Sequence, residues 1–119
     1  MTTPARTVDT RPEDLSGLFF SRLNAGDVEG ALALFESTAV SRFPDGRVFE
    51  GREAVRTGLE ELAELDVTFP LVEDEPALVT GDLALTSRRL PNGDVPVEVA
   101  RRQSDGSWLW VLDNANVLS

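Results

Sequence analysis

The sequence predicts a single α+β domain in which a cone-shaped, curved antiparallel sheet wraps over three N-terminal helices. Apolar residues recur every three or four positions in the first half of the chain, and they alternate with polar residues through most of the second half. Helices followed by a run of strands are typical of an α+β fold. A chain of 119 residues suits one hydrophobic core. We therefore expect one domain over residues 12–119, with residues 1–11 as a flexible tail.

Two closely joined helices are predicted at the start of the domain. Residues 10–13 (Thr-Arg-Pro-Glu) form a capping box, and Asn24-Ala25-Gly26 ends the first helix with Gly26 in a left-handed conformation. Asp27 caps the second helix, whose apolar positions follow helical spacing from Val28 to Phe35. The connection is so short that the two helices must form a tight pair.

A short hairpin and a third helix complete the first half of the chain. Residues 39–50 contain two short apolar runs around Pro44-Asp45-Gly46, a sequence that favours a tight turn. Gly51 opens the third helix, which continues to about Leu65. Val55, Leu59 and Leu62 share one of its faces.

The second half of the chain predicts a run of antiparallel strands. Asn92-Gly93 and Asp105-Gly106 are typical hairpin turns, and Pro70 and Pro96 indicate sheet edges or bulges. The predicted strands span residues 67–73, 77–90 with a break at 80–82, 95–103 and 108–117. A sheet of this kind, curled over helices, leaves a concave apolar space at one end, where a small molecule can bind.

The composition excludes several kinds of chemistry. The sequence contains no His, Lys, Tyr or Cys, and all 11 of its basic residues are Arg. A thiol nucleophile, a Schiff-base lysine and a histidine general base are therefore excluded. Any acid–base reaction would depend on a carboxyl group. We expect neither a metal nor a cofactor.

The charge and the apolar pattern exclude two classes of partner. The net charge is −10, which repels phosphate backbones and anionic membranes, so we expect no nucleic acid and no membrane partner. No apolar stretch reaches the roughly 18 residues of a membrane span. The first ten residues are polar and resemble no secretory signal. The expected location is the cytoplasm.

Short helix-end and turn sequences recur in a fixed order along the chain: Leu23-Asn24-Ala25-Gly26-Asp27 with Ala33-Leu34-Phe35, Gly51-Arg52-Glu53-Ala54-Val55, Gly81-Asp82-Leu83-Ala84-Leu85, and Asp105-Gly106-Ser107-Trp108. Together they resemble the nuclear transport factor 2-like superfamily, in particular its small bacterial SnoaL-like and ketosteroid-isomerase-like proteins. The similarity extends from about residue 12 to residue 117. It implies a cystatin-like cone fold, and none of these sequences is a catalytic motif.

The resemblance also indicates where steroid-isomerase chemistry would require its functional groups. Aligned through the first of these sequences, the isomerase tyrosine falls on Phe19 and the base carboxylate on Phe43. The acid donor falls on about Val99, with an uncertainty of one residue that leaves Glu98 open. Phenylalanine neither donates nor accepts a proton. We therefore expect no steroid isomerase activity.

The same alignment, combined with strand alternation, predicts which side chains enter the cone. Asp113 then lies near Arg101 and Arg88 on neighbouring strands. Asp113 could act as a general acid or base while the arginines hold a ligand oxygen, or the three could form a structural ion pair that closes the mouth of the cone. The predicted inward residues are Leu109, Val111, Asp113 and Ala115 on the last strand, Val97, Val99 and Arg101 on the one before it, and Ala84, Thr86 and Arg88 on the strand before that.

Three functions follow from this prediction. The first is an isomerase, cyclase or lyase for a small apolar metabolite, with Asp113 as the catalytic residue and Phe19, Phe43, Arg88, Val99 and Arg101 around the substrate. The second is a non-catalytic binding or accessory protein, and the third is a dimerisation module without a ligand. Trp108 and Trp110, opposite in phase to Asp113, are expected on the outer sheet face, where they would favour a homodimer.

Overall fold

Three helices pack against one curved six-stranded sheet in the computed structural model, which describes residues 11–118. Residues 1–10 of the predicted tail, which include the Thr10 end of the predicted capping box, lie outside the described residues. In chain order the elements are α1 (Leu15–Asn24), α2 (Val28–Leu32), β1 (Phe35–Arg42), β2 (Val48–Glu50), α3 (Arg52–Ala63), β3 (Leu78–Thr80), β4 (Leu83–Ser87), β5 (Val97–Arg102) and β6 (Trp108–Asn114).

The strand order in the sheet is β2-β1-β6-β5-β4-β3. Neighbouring strands pair in antiparallel fashion except β1 and β6, which are parallel. The predicted antiparallel sheet is thus confirmed except between β1 and β6, the second and third strands in this order. The parallel pair arises because the hairpin strand β1 inserts beside the last strand of the chain. Parallel strands of this kind require a long connection, here most of the domain.

Helix α1 forms as the sequence predicts. A single 3₁₀ turn, Pro12–Asp14, precedes it, and the Arg11 amide donates to Asp14 Oδ2 at 3.0 Å. Leu15, Phe19 and Leu23 share its buried face. This spacing of four residues places the three side chains in one row on the core.

Helix α2 is shorter than predicted. Asp27 caps it, accepting from the Gly30 amide at 2.9 Å. Phe35, predicted on the helix, instead begins β1, because the backbone there has long-range partners. The Trp110 amide donates to the Leu34 carbonyl at 2.8 Å, and the Arg52 guanidinium donates to the Phe35 carbonyl. These hydrogen bonds outweigh the local helical period.

The strand predicted over residues 67–73 is wrong, because residues 64–77 form an irregular loop. The side chain of Asn24 binds both backbone groups of Phe69, donating to its carbonyl at 3.0 Å and accepting from its amide at 2.8 Å. The Phe69 side chain packs against the core. Part of the apolar pattern in this segment therefore reflects a loop held against α1 rather than a pleated strand.

A β-bulge in β6 reverses the facing of its side chains. Trp110 pairs with Ala100 and Leu112 pairs with Val99, so Val111 is an extra residue without a partner of its own. Trp108 and Trp110 therefore face the helices, and so does Asp113 three residues beyond. The prediction that both tryptophans lie on the outer face is wrong, since Trp110 is only 1% exposed.

The core lies between the helices and the inner sheet face. Trp110 is central to it, with its ring centroid 5.3 Å from that of Phe19 and 5.2 Å from that of Phe35. No helix in the described part of the chain is long and apolar enough to cross a membrane.

Gly58 is required by the packing of α3. A Cβ atom at this position would lie 2.6 Å from Phe43 Cε2 and 3.2 Å from Phe49 Cε2. Alanine normally stabilises a helix relative to glycine by about 1 kcal/mol. Here the two rings must move, so we expect Gly58→Ala to lower the free energy of unfolding by about 1–3 kcal/mol, measured by urea denaturation.

Gly17 in α1 provides the matched control, because a Cβ atom there meets nothing within 4 Å. We expect Gly17→Ala to raise the free energy of unfolding by about 0.5–1 kcal/mol. If Gly58→Ala were as stabilising as Gly17→Ala, Phe43 and Phe49 would not restrict this position.

Candidate active site

One aromatic cavity lies between α1, α3 and the inner face of the sheet. It encloses about 690 Å³ including the open space at its mouth, a size that suits a small molecule. Six aromatic side chains and a similar number of aliphatic and proline side chains form its apolar wall, and charged side chains gather on the sheet side. The lining residues include Phe19, Phe20, Phe43, Phe69 and Trp110, together with Arg42, Arg88, Asp94, Glu98 and Asp113.

Two carboxyl groups face each other across strands β5 and β6. Glu98 and Asp113 are direct partners in the antiparallel register, and both side chains line the cavity. Opposite residues in such a pair have Cβ atoms about 5 Å apart. The sheet therefore holds the two carboxyl groups side by side beneath an apolar chamber.

The partners of the two carboxyl groups differ. Glu98 is buried, and both its oxygens are engaged: Thr86 donates to Oε1 at 2.7 Å and Arg88 donates to Oε2 at 2.9 Å. Asp113 is half-buried and accepts from the Ser41 hydroxyl through Oδ2 at 2.9 Å. Its Oδ1 has no hydrogen-bond partner within residues 11–118. Asp113 thus has the freer carboxylate oxygen at the cavity.

Burial changes the protonation of the pair. Burial raises the pKa of Glu98 to about 7, with the Arg88 charge opposing the shift and the Asp113 charge adding to it. Burial also raises the pKa of Asp113 to about 6, opposed by the Ser41 hydrogen bond and by Arg88. A carboxyl pair of this kind titrates as a unit. Near neutral pH it can hold a proton to donate as well as a carboxylate to accept one.

Arg88 connects the pair to the loop between α3 and β3. Its Nη1 donates to Glu98 and, at 3.4 Å, to Asp74 Oδ1. Its guanidinium also lies 5.5 Å from the centroid of the Phe20 ring. Within the described residues, Nη1 is the only side-chain nitrogen of Arg88 that forms a hydrogen bond. The other guanidinium donors have no partner among the described residues, and Arg88 lines the cavity.

Three of the residues predicted around the site do line the cavity. Phe19 and Phe43 form its wall, and Arg88 lies on its sheet side with Asp113. Ala84 and Thr86 are buried on the same inner face as Arg88. The catalytic role assigned to Asp113 stays a prediction.

Val99 and Arg101 do not belong to the cavity. The inward phase predicted for β5 is wrong by one residue, because Glu98 and Ala100 are the buried positions and Val99 points to the other face. Arg101 is exposed and donates to Glu36 Oε2 at 3.0 Å. Asp113 therefore has Arg88, but not Arg101, as its neighbouring arginine.

Leu109 and Val111 are also absent from the cavity wall, although the sequence places them beside Asp113. The bulge at Val111 is the reason, because it separates the phase of the first half of β6 from that of Asp113 and Ala115. Glu98 was within the one-residue uncertainty of the alignment. Asp74 lies in the loop, and no sequence pattern connects it to the site. The described residues contain no group of three or more His, Cys, Asp or Glu placed to hold a metal ion.

Comparison with known proteins gives one family and several related folds. A family model described as a SnoaL-like domain matches residues 18–113. No curated protein matches the chain. Structural similarity extends to an uncharacterised cystatin-like protein from Caulobacter vibrioides, with a TM-score of 0.70, 18% identity, and 84% of this chain and 82% of that chain covered.

Two further structures carry activity names. A candidate dehydratase of the NTF2-like family from Streptomyces avermitilis has a TM-score of 0.63 and 18% identity, with 88% of this chain and 93% of that chain covered. A candidate ketosteroid isomerase from Shewanella frigidimarina has a TM-score of 0.68 and 14% identity, with 90% and 95% covered. At these identities the similarity shows the fold alone.

The pH dependence of stability tests the buried carboxyl pair. Because the pKa of Glu98 is raised from 4.5 to about 7 on folding, the folded protein binds this proton more tightly than the unfolded chain. The free energy of unfolding should therefore fall as the pH rises across this interval. We expect Glu98→Gln to remove at least about 1 kcal/mol of that fall, measured by urea denaturation between pH of about 5 and 8.

Glu36→Gln is the control, because Glu36 pairs with the exposed Arg101. It should leave the pH dependence as in the wild type. If the free energy of unfolding fell equally steeply with pH in the wild type and in Glu98→Gln, the pKa of Glu98 would not be raised by folding.

Proposed function

The chain belongs to the family of SnoaL-like domains, and we propose that it is an acid–base enzyme, an isomerase, cyclase or lyase, that acts on a small and mostly apolar metabolite. The observation that carries the proposal is the Glu98–Asp113 pair at the aromatic cavity. The pair supplies both a proton donor and a proton acceptor at neutral pH. A largely apolar chamber whose charged groups lie on its sheet side favours an apolar ligand with one polar end.

In the proposed reaction, Asp113 is the general base and Glu98 the general acid. The open Oδ1 of Asp113 takes a proton from carbon or a hydroxyl group of the substrate. Glu98 gives its proton to the substrate oxygen that gains charge, or to a hydroxyl that leaves as water. The free donors of Arg88 hold that oxygen in place. Afterwards Asp113 carries the proton it received and Glu98 is ionised, so one proton returns between them through solvent or product.

The proposal does not extend to the steroid isomerase mechanism. Phe19 and Phe43 occupy the positions where the resemblance places the tyrosine donor and the base carboxylate, and both rings line the cavity. Neither ring can transfer a proton. The acid-donor position corresponds to Glu98, the residue that faces inward on β5. Only one of the three isomerase groups therefore has a counterpart here.

A non-catalytic ligand-binding protein is the second candidate. It is favoured by the satisfaction of Glu98, whose two oxygens are both engaged by Thr86 and Arg88. A carboxyl group that is already partnered gives up its hydrogen bonds only at a cost. In this alternative the cavity binds its ligand without turnover, and the charged groups only orient it.

Substitution of Asp113 separates the two candidates. Asp113→Asn keeps the shape of the side chain and removes the base, so turnover of a bound substrate should fall about 10²- to 10⁴-fold. Small carbonyl and polycyclic compounds, first selected by the rise in melting temperature they cause, would be assayed as substrates.

The control for this experiment is Glu36→Gln, which changes the same type of group outside the cavity. Binding retained with turnover lost in Asp113→Asn would support the enzyme. Turnover unchanged in Asp113→Asn would rule out Asp113 as the base. Binding without turnover in the wild type would support the non-catalytic candidate.

We also propose a homodimer formed through the outer sheet face, but with a different set of residues from the one the sequence suggested. The tryptophans are buried, and aliphatic side chains take their place. Leu78, Leu83, Leu85 and Leu112 are 40–72% exposed on β3, β4 and β6. Patches of this kind on a soluble protein commonly mark an interface. A second copy of the chain would cover them.

The dimer is tested by Leu85→Asp, which places a charge within this face. We expect the mass measured by sedimentation to fall from dimer to monomer, because a desolvated, unpaired charge opposes association. Leu65→Asp is the control, since Leu65 is also exposed (54%, against 43% for Leu85) but follows α3 rather than lying on the sheet. A wild-type protein that sediments as a monomer would contradict the proposal.

A further inference from the structure

The guanidinium of Arg88 binds two carboxyl groups: that of Glu98, which lines the cavity, and that of Asp74, which does not. Its Nη1 donates to Glu98 Oε2 at 2.9 Å and to Asp74 Oδ1 at 3.4 Å. The exposed fractions of the three side chains are 3% for Arg88, 1% for Asp74 and 0% for Glu98. Charges in such a dry environment interact strongly, since little water screens them.

Asp74 is held in this position by its own hydrogen bond. Ser16 on α1 donates to Asp74 Oδ1 at 2.8 Å, so the same oxygen receives both the hydroxyl and the guanidinium. Phe20, one turn further along α1, lies beneath the guanidinium. The loop carboxyl group, the helix and Arg88 thus form one packed unit behind the cavity.

This arrangement is not explained by stability alone. An ionised Glu98 would by itself neutralise Arg88, so the charge of Asp74 is needed as a counter-ion only when Glu98 carries a proton. Asp74 Oδ2 is buried without a hydrogen-bond partner among the described residues, and an unsatisfied buried oxygen lowers stability. Burial also raises the pKa of Asp74, opposed by Ser16 and Arg88. Asp74 therefore lies in an unfavourable environment for a carboxyl group. Its effect on Arg88 and Glu98 would explain why it is nevertheless present there.

We propose that Asp74 is a positioning residue: by sharing Arg88 with Glu98 and adding a second negative charge, it keeps Glu98 protonated and able to act as the acid. The inference rests on the proposed acid role of Glu98. It assigns to the 64–77 loop a part in the chemistry, although Asp74 itself does not line the cavity. Asp74 acts only through Arg88 and Glu98.

The charges around Glu98 support the direction of this effect. Arg88 on the segment after β4 favours the ionised form of Glu98, whereas Asp113 on β6 and Asp74 on the loop oppose it. The negative charge of Glu13, before α1, likewise opposes the ionised form of Asp74. Removing the charge of Asp74 would leave Glu98 as the one ion-pair partner of Arg88 among residues 11–118. The loss of the negative charge of Asp74 and the undivided attraction of Arg88 both favour the ionised form of Glu98, so the two effects add.

The experiment measures the titration of the Glu98 carboxyl group by ¹³C NMR in the full chain, with no substrate present. In Asp74→Asn we expect the midpoint of Glu98 to fall by about one pH unit, which is about a tenfold loss of proton affinity. Asp74→Ser is a second neutral variant if the amide does not pack. Glu75→Gln is the matched control, because it removes the same charge from the adjacent, exposed position, and it should leave the midpoint unchanged.

Asp74→Glu, which restores the charge, should return the midpoint toward the wild-type value. A merely structural Asp74 would lower the melting temperature in the neutral variants and leave the Glu98 midpoint within about 0.2 units of wild type, and this result would overturn the proposal. A midpoint that rises in Asp74→Asn would overturn it as well.

The titration does not depend on turnover, so this inference and the proposed function fail separately. A shifted Glu98 midpoint in a protein that turns over no substrate supports the positioning role and counts against the enzyme. Turnover that depends on Asp113, together with an unshifted midpoint in Asp74→Asn, supports the enzyme and overturns the positioning role. Where turnover is found, the rate of Asp74→Asn should fall on the alkaline side of its pH–rate profile at a lower pH than in the wild type. The displacement should equal the shift in the Glu98 midpoint.

Discussion

A single extra residue in the last strand determines what the inner face of the sheet carries. Val111 interrupts the alternation of β6, so that Trp110 and Asp113 both face the helices although they are three positions apart. Trp110 then completes the aromatic core with Phe19 and Phe35. Asp113 then lies opposite Glu98 on the same face. Without the bulge, one of the two would point to the outer face, and the protein would lack either its core or its carboxyl pair.

The site that results is unusual in its charge. One buried guanidinium, Arg88, is in contact with Glu98 and Asp74, and Asp113 lies within its electrostatic reach. Ionising all three carboxyl groups beside one cation is costly, and the raised pKa values of Glu98 and Asp113 reflect that cost. Protons held under such conditions are available for transfer near neutral pH. A chain with no histidine can therefore still place an acid and a base in one cavity.

The 64–77 loop links this charge cluster to the aromatic wall. Asn24 holds the backbone of Phe69, whose ring packs against Phe20 with centroids 5.6 Å apart. Asp74, further along, reaches Arg88 and Ser16. An irregular segment gains its order here from hydrogen bonds and ring packing rather than from a strand ladder. Of these contacts, the one between Asp74 and Arg88 also reaches Glu98, which shares the same guanidinium.

The sequence by itself determined most of the element types and boundaries, apart from the strand predicted over residues 67–73, and it left the carboxyl groups as the acid–base residues. Helical and strand periods are local, so α1, α3 and the break between β3 and β4 could be predicted from them. The tertiary structure decided the end of α2 at Phe35, the loop at Phe69, and the facing of Val99, Arg101, Trp108 and Trp110. These depend on partners far along the chain and on one bulge, and strand alternation shifts every side chain to the other face when the count is wrong by one residue. Asp113 lies on a strand, so the alignment could place it in the cavity. Asp74 lies in an irregular loop, and only the folded chain brings it to Arg88.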